Sequence, residues 1–317
     1  MYPSVRFFME RLIDYAGLFP PAELPLGAAI QNYNRYGRDQ DSWMLGRFIV
    51  PVSRLGELAS YKSMFSEDHP LMLSVVGNRS CGDKECLGLL TGSLDRIQTF
   101  RNQFQEAVEI DTLELPLPPI PIEAPLLDAV GMGASGAGLR TFCELTYALD
   151  PHWEPNMLEA LDKIAAHNSV SEAKIGMKLR AGGVTADAFP APGQIALVLK
   201  ACRDRNIPMK FTAGLHHPVR MYRHEVNAKM HGFLNVFFAG MLAYAHKLDN
   251  KSIAEIIEDE NPDNFNFTGD GIRWRNLTVT SAEVQAYRAC ALSAYGSCSF
   301  DEPRDEIREL HKLDQRS

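Results

Sequence analysis

The sequence predicts a single (β/α)₈ barrel of the TIM type, preceded by a short helix and followed by a charged C-terminal tail. Three observations predict it. Strand-like and helix-like segments alternate along almost all of the 317 residues, and about eight strand–helix pairs is the number such a barrel needs. Several of the strand segments are short apolar runs, as expected where helices cover a parallel sheet. No internal repeat or low-complexity linker divides the chain, so residues 1–317 read as one domain. A doubly wound open sheet with an added C-terminal segment is the second architecture that fits the alternation, because strand order is invisible in sequence.

The elements follow in order. Val5, Phe8 and Leu12 sit at amphipathic spacing, giving a short helix suited to plug the bottom of a barrel. Strand 13–19 is stopped firmly by Pro20-Pro21. Helices at 26–36, 53–64 and 87–105 then alternate with strands at 44–50, Leu71–Val76 and 108–115. A turn is expected at 121–129, and Gly131-Met132-Gly133-Ala134-Ser135-Gly136 reads as a flexible turn as well. It matches the dinucleotide fingerprint formally, but it precedes a strand instead of joining a strand to a helix. Strand 140–147, helix 155–166, strand 173–180, helix 194–206 and strand 209–213 follow. The loop 215–230 is polar and long enough for a lid. Helix 233–247, an eighth strand at 265–269 and helix 282–294 complete the set, and the charged end from Asp301 reads as an exposed helix or tail.

Bulk properties narrow the function. Hydrophobic content of 45% and charged content of 23% are those of a soluble globular protein. A net charge of -8 argues against nucleic-acid binding, which needs a basic face, but leaves room for a local basic pocket and a small anionic substrate. The longest apolar stretch, 232–245, is interrupted by Asn235 and falls short of the ~20 residues of a bilayer span, so no membrane association is expected. The N-terminus lacks the basic segment, apolar run and small-residue site of a secretory signal. The six cysteines are spaced like neither a disulfide scaffold nor a zinc knuckle. Reduced thiols in a cytoplasmic protein are the expectation; oligomeric state stays open.

The chemistry-bearing residues cluster late in the chain. Ala173 to Gly183 and Ile207 to Pro218 each carry a lysine where a strand runs out into a loop, with helical spacing between them. In parallel α/β proteins ligands sit beyond the carboxyl ends of the strands, which places Lys178, Arg180, Gly182 and Gly183 with Lys210, Gly214, His216 and His217 at one edge. A desolvated lysine beside a second cation can be neutral near pH 7 and attack a carbonyl. Lys178 is the expected nucleophile, and Lys210 the group that lowers its pKa. Arg180 with Gly182, Gly183 and Gly214 suits an anion, through a guanidinium fork and approachable backbone amides. Neighbouring His216 and His217 alternate faces if extended, so one of them would move protons while the other supports a loop.

Over residues 173–218 the order and spacing of Lys178–Gly182 and Lys210–Gly214 resemble class I aldolase barrels of the deoxyribose-phosphate aldolase type. The resemblance implies a lyase-like enzyme that uses a lysine Schiff base and needs no cofactor. Leu179-Arg180-Ala181 stands where that family has small hydroxyl residues, and His216-His217-Pro218 is foreign to it.

Two alternatives remain. A metal-assisted hydrolase or isomerase would pair Glu109, Asp111, Glu114 or Glu144 with a histidine around a divalent metal, although no H-E-x-x-H spacing is present. A non-catalytic metabolite-binding barrel is the other. Arg47 and Glu144 lie in apolar strands, where a charge needs a partner inside the barrel.

Overall fold

The computed structural model describes residues 1–119 and 121–310, so the end of the expected tail lies outside the described residues. Helix α1 (Pro3–Met9) and strand β1 (Ile13–Tyr15) come first, then α2 (Leu26–Tyr36) and β2 (Leu45–Pro51). A 3₁₀ run, Val52–Met64, stands where a regular helix was expected, followed by β3 (Leu71–Val76), α3 (Asp83–Phe104) and β4 (Val108–Pro116). The middle of the chain holds α4 (Ala124–Gly136), β5 (Arg140–Glu144), α5 (Trp153–Val170), β6 (Ile175–Arg180), α6 (Pro192–Asp204) and β7 (Met209–Thr212).

Beyond β7 the regular alternation is interrupted. A hairpin of β8 (Met221–Arg223) and β9 (Ala228–Met230) occupies the expected lid loop, followed by α7 (Phe233–His246) and α8 (Asn250–Glu258). An antiparallel sheet of β10 (Phe265–Phe267), β11 (Gly271–Trp274) and β12 (Leu277–Thr280) precedes α9 (Ser281–Cys290), β13 (Leu292–Ser297) and α10 (Asp301–Glu309). Strands β1 to β7 and β13 pair in parallel and close into an eight-stranded barrel, in which β13 joins β7 to β1. The chain is therefore a (β/α)₈ barrel, as the alternation predicts. Among the described residues no helix is long and apolar enough to cross a membrane.

Four local expectations are corrected. Segment 265–269 is not the eighth barrel strand; it belongs to the three-stranded sheet outside the barrel. The eighth strand is β13, whose sequence Leu292-Ser-Ala-Tyr-Gly-Ser carries little apolar signal because small residues are needed there. A Cβ on Gly296 would lie 2.9 Å from Ile49 Cδ1 across the barrel interior. The expected turn and glycine run at 121–136 are helix α4, where a Cβ on Gly131 would meet the His167 ring at 2.7 Å. Glycine there permits close helix packing and has no phosphate-loop geometry.

Helix α1, fourth, flanks the barrel and does not plug it. It packs on α9 and β11, and the Phe8 ring lies edge-on to Phe238 and Phe267 at 5.3 and 5.2 Å. Full burial of that ring stabilises the contact by about 2–3 kcal/mol.

Candidate active site

Parallel pairing sets Glu144, Lys178 and Lys210 side by side on β5, β6 and β7. Residues in register on neighbouring strands face the same way, and here they face the barrel interior. TIM barrels ordinarily fill that space with branched apolar side chains. This one holds a chain of alternating charges.

At its lower end Asp14 Oδ1 accepts the Arg47 backbone N–H at 2.6 Å, while Asp14 Oδ2 pairs with the Lys210 amine. Lys210 Nζ lies 3.2 Å from Glu114 Oε1, which also accepts the Ser74 hydroxyl at 2.6 Å. Glu114 Oε2 then meets Lys178 Nζ at 2.6 Å, Lys178 meets Glu144 Oε2 at 2.7 Å, and Glu144 Oε1 accepts from Arg180 Nη1 at 3.0 Å. Only Arg180, 43% exposed at its side chain, reaches well into solvent. Asp14, Glu114, Glu144, Lys178 and Lys210 are buried.

Each charge is held by its neighbours. Burial pulls the Lys178 ammonium down, but Glu114 and Glu144 together outweigh that and hold the amine above the ordinary lysine range. Burial pushes Glu114 up, yet Lys178 and Lys210 bring its carboxyl down to about 2. Glu144 is likewise lowered, against its burial, by Lys178 and Arg180. The expectation that Lys210 depresses the pKa of Lys178 is therefore corrected. The two lysines share Glu114, which screens one from the other, and Lys210 is neutralised by Asp14.

Above this network a cavity of about 420 Å³ opens at the carboxyl ends of the strands. Lys178 and Glu144 line it together with Arg180, Gly183, Gly214 and His216. Thus six of the sequence-selected residues meet in one place. The other three stand apart. Lys210 lies beneath the cavity in the charge chain. Gly182 packs against Gly214, where a Cβ on either would approach the other's Cα to 3.0 and 2.8 Å. Gly214 has φ +71° and Ala213 φ +58°, so two successive left-handed residues turn the chain at the mouth. Backbone strain of this kind recurs at functional sites.

His217 faces away from the cavity, with Nδ1 2.8 Å from Glu306 Oε1 on α10 and the Arg223 guanidinium 2.7 Å from its ring. The expectation that either histidine could serve at the cavity narrows to His216. Its Nδ1 lies 3.3 Å from Ser297 Oγ and 3.6 Å from Cys298 Sγ. Burial, with help from His217 and Arg223, pushes this imidazole down to about 4, so it is neutral at pH 7. Burial and Glu302 push the Cys298 thiol up to about 11, which makes it a poor thiolate. His231 Nε2 donates to Pro190 O, 2.8 Å away, and does not cap α7.

Among the described residues the metal ligand sets expected from sequence do not assemble. Asp111 is forked by Arg47, with Arg140 at 3.7 Å. Glu109 belongs to the wall of a lower cavity with Arg6 and Trp43. A different trio, His217, Glu302 and Glu306, has ligand atoms within 4.8 Å of one another and could hold a metal ion. The Arg223 guanidinium already lies among them, 3.1 Å from Glu306.

Sequence reasoning missed Arg79 and Cys298, both on the cavity wall. Arg79 follows β3 by three residues and was open to the same strand-end logic. Cys298 was hidden because the start of β13 was read as the end of helix 282–294 and the rest of the strand was not recognised.

No protein-family model matches the sequence, and no curated protein matches it. Among solved structures the chain is similar to a xylose isomerase-like TIM barrel/4-hydroxyphenylpyruvate dioxygenase fusion protein, with 14% identity and a TM-score of 0.42 over 74% of this chain and 37% of that one. It is also similar to the carboxyl transferase domain of Rhizobium etli pyruvate carboxylase with pyruvate and biocytin, with 11% identity and a TM-score of 0.44 over 99% of this chain and 56% of that one. The chain thus spans about a third to a half of the structures it matches. Likenesses this distant add nothing to the barrel topology already read from the strands.

Proposed function

We propose that the protein is a cytoplasmic enzyme acting on a small anionic, carbonyl-bearing metabolite, with Lys178 as the reacting amine of a carbon–carbon lyase. One observation carries the reading: the Lys178 amine stands at the floor of a cavity at the catalytic end of a barrel, within 2.7 Å of two carboxylates. At rest Lys178 is a cation and cannot attack. An incoming anion that engages Arg180 draws that guanidinium away from Glu144, and Glu144 becomes more basic as it loses its partner. Glu144 then takes the Lys178 proton across 2.7 Å. The neutral amine adds to the carbonyl carbon and the carbinolamine loses water, leaving an iminium that accepts the electron pair of the breaking carbon–carbon bond. Neutral His216, on the cavity wall, is placed to take the proton from the departing fragment's hydroxyl.

This chemistry needs no cofactor. A divalent metal at His217, Glu302 and Glu306 would stand outside the cavity and would require Arg223 to withdraw, so the metal-assisted reading ranks second. Six unpaired cysteines suit the reducing compartment proposed here. The test is borohydride trapping with a panel of aldehydes and 2-oxo acids, followed by peptide mass spectrometry. A reduced adduct on Lys178, lost in Lys178→Met, is the expected result. A panel-wide absence of adduct on folded protein removes the Schiff base.

A further inference from the structure

We infer that His217, Glu302 and Glu306 form a divalent-metal site in which the Arg223 guanidinium stands in for the ion, so that a metal of the zinc class displaces Arg223 and unlatches the β8–β9 hairpin from α10. The site lies outside the cavity, and the inference goes beyond the lyase reading without depending on the role of Lys178.

Three side chains from two parts of the chain meet there. Glu302 and Glu306 are four residues apart and share one face of α10. Their ligand atoms and that of His217 lie within 4.8 Å of one another. The His217 side chain is only 2% exposed, and its backbone carbonyl accepts the Phe233 N–H at 2.9 Å, so the ring is held in place. The glutamates are partly open, at 39% and 28%, which gives an ion a path from solvent.

The guanidinium marks the centre of this set. Arg223 Nη2 lies 2.7 Å from His217 Nδ1, 3.1 Å from Glu306 Oε1 and 3.9 Å from Glu302 Oε1. It fits the charge and misfits the histidine. Nδ1 also stands 2.8 and 2.9 Å from the two Glu306 oxygens. A ring nitrogen carries either a proton or a lone pair. With the proton it opposes the guanidinium N–H, and with the lone pair it opposes the carboxylate. A metal ion removes the conflict, because it takes the Nδ1 lone pair and both carboxylates together. Nε2 then carries the ring proton, so the Arg223 Nε–H, 2.7 Å away, loses its acceptor as well. The displaced guanidinium keeps Glu225, 3.4 Å from its Nε. One imidazole and two carboxylates with open positions suit Zn²⁺ and its neighbours, whereas Mg²⁺ keeps to oxygen ligands.

The test is calorimetric titration of the EDTA-dialysed full-length protein with Zn²⁺, and with Mg²⁺ as the oxygen-only control. One equivalent of Zn²⁺ is expected to bind, with Mg²⁺ far weaker. Glu302→Gln and Glu306→Gln should each weaken Zn²⁺ at least about tenfold, since even the partners of a metal ligand are worth 10–100-fold. Arg223→Met should strengthen it about tenfold, as expected if the latch is closed roughly nine-tenths of the time. In the wild type, Zn²⁺ should speed amide exchange across residues 221–225, and in Arg223→Met it should leave that exchange unchanged. Absence of Zn²⁺ binding, equal binding of Mg²⁺, or Zn²⁺ affinity that both glutamate variants leave intact overturns the site. An affinity that Arg223→Met fails to raise, or hairpin exchange that Zn²⁺ fails to change in the wild type, overturns the latch. Borohydride trapping at Lys178 is a separate readout, so its failure leaves the metal site standing.

Discussion

Replacing Lys210 separates the buried network from an ordinary surface ion pair. Its amine neutralises Asp14 and Glu114, both fully buried. Lys210→Met leaves two carboxylates without that partner, and removing one member of a buried ion cluster costs about 3–5 kcal/mol. A lowered denaturant midpoint measures the loss, and adding Asp14→Asn should recover part of it because the sites are coupled. An unchanged midpoint would mean that water reaches both acids. Glu114→Gln acts on the amine above. With one anion fewer, Lys178 is less favoured as a cation, so its pKa falls. The pH–rate profile of borohydride trapping should shift toward acid by about a unit or more, with faster trapping at neutral pH. A shift toward alkali would refute the role assigned to Glu114. Sequence alone identified the lysines and Glu144 as a group that could compensate them, while Glu114 was read only as a partner for a histidine. It reversed the effect of Lys210, because the Asp14 carboxylate that neutralises it lies 196 residues away.

Among the elements, α7 shows how one polar residue fixes packing. Asn235 interrupts an otherwise apolar helix and is fully buried. Its Nδ2 donates to Ile256 O and Asp259 O at 2.8 Å, closing the end of α8, while its Oδ1 accepts the Arg220 N–H at 2.8 Å beside the hairpin. Asn235→Leu makes the helix more apolar yet leaves those backbone groups unpaired. The expected result is a loss of roughly 2–3 kcal/mol, seen as a lower melting temperature and faster amide exchange at Arg220. Equal stability would show that the hydrogen bonds are replaced by water. Elements with strong periodicity, such as α3, α5 and β3, were legible in sequence. β13 was not, since Ala294 and Gly296 are small to fit the interior and the strand lacks β-branched residues. The hairpin β8–β9 was hidden inside a polar stretch whose Arg223 finds its anchors, His217 and Glu306, only in the folded chain.

For the whole molecule, the buried titratable groups set an acid limit. His216 and His231 are held down to about 4 by burial against an ordinary 6.5, so between those values the unfolded chain binds protons that the folded one refuses. Stability therefore falls as pH drops below about 6.5. Glu114, held at about 2 against 4.5, adds a loss of roughly 3 kcal/mol as pH falls from 4.5 to 2. Both contributions have the same sign. Urea midpoints measured from pH 8 to 3 should decline from near 6.5 and steepen below 4.5; a flat profile down to pH 5 would contradict the buried neutral histidines. What the sequence determined by itself is the alternation of a (β/α)₈ barrel and the placing of Lys178 and Arg180 in the last half of a strand, with Gly183, Gly214 and His216 beyond strand ends. Both depend on local period and on the direction of parallel strands, which a chain carries along its length. Only the tertiary structure decided which carboxylate faces which amine, which histidine enters the cavity, and that Arg79 on its wall has no ion-pair partner among the described residues. Those relations join residues far apart in the chain, and the register of a closed barrel exists only after its last strand has paired with its first.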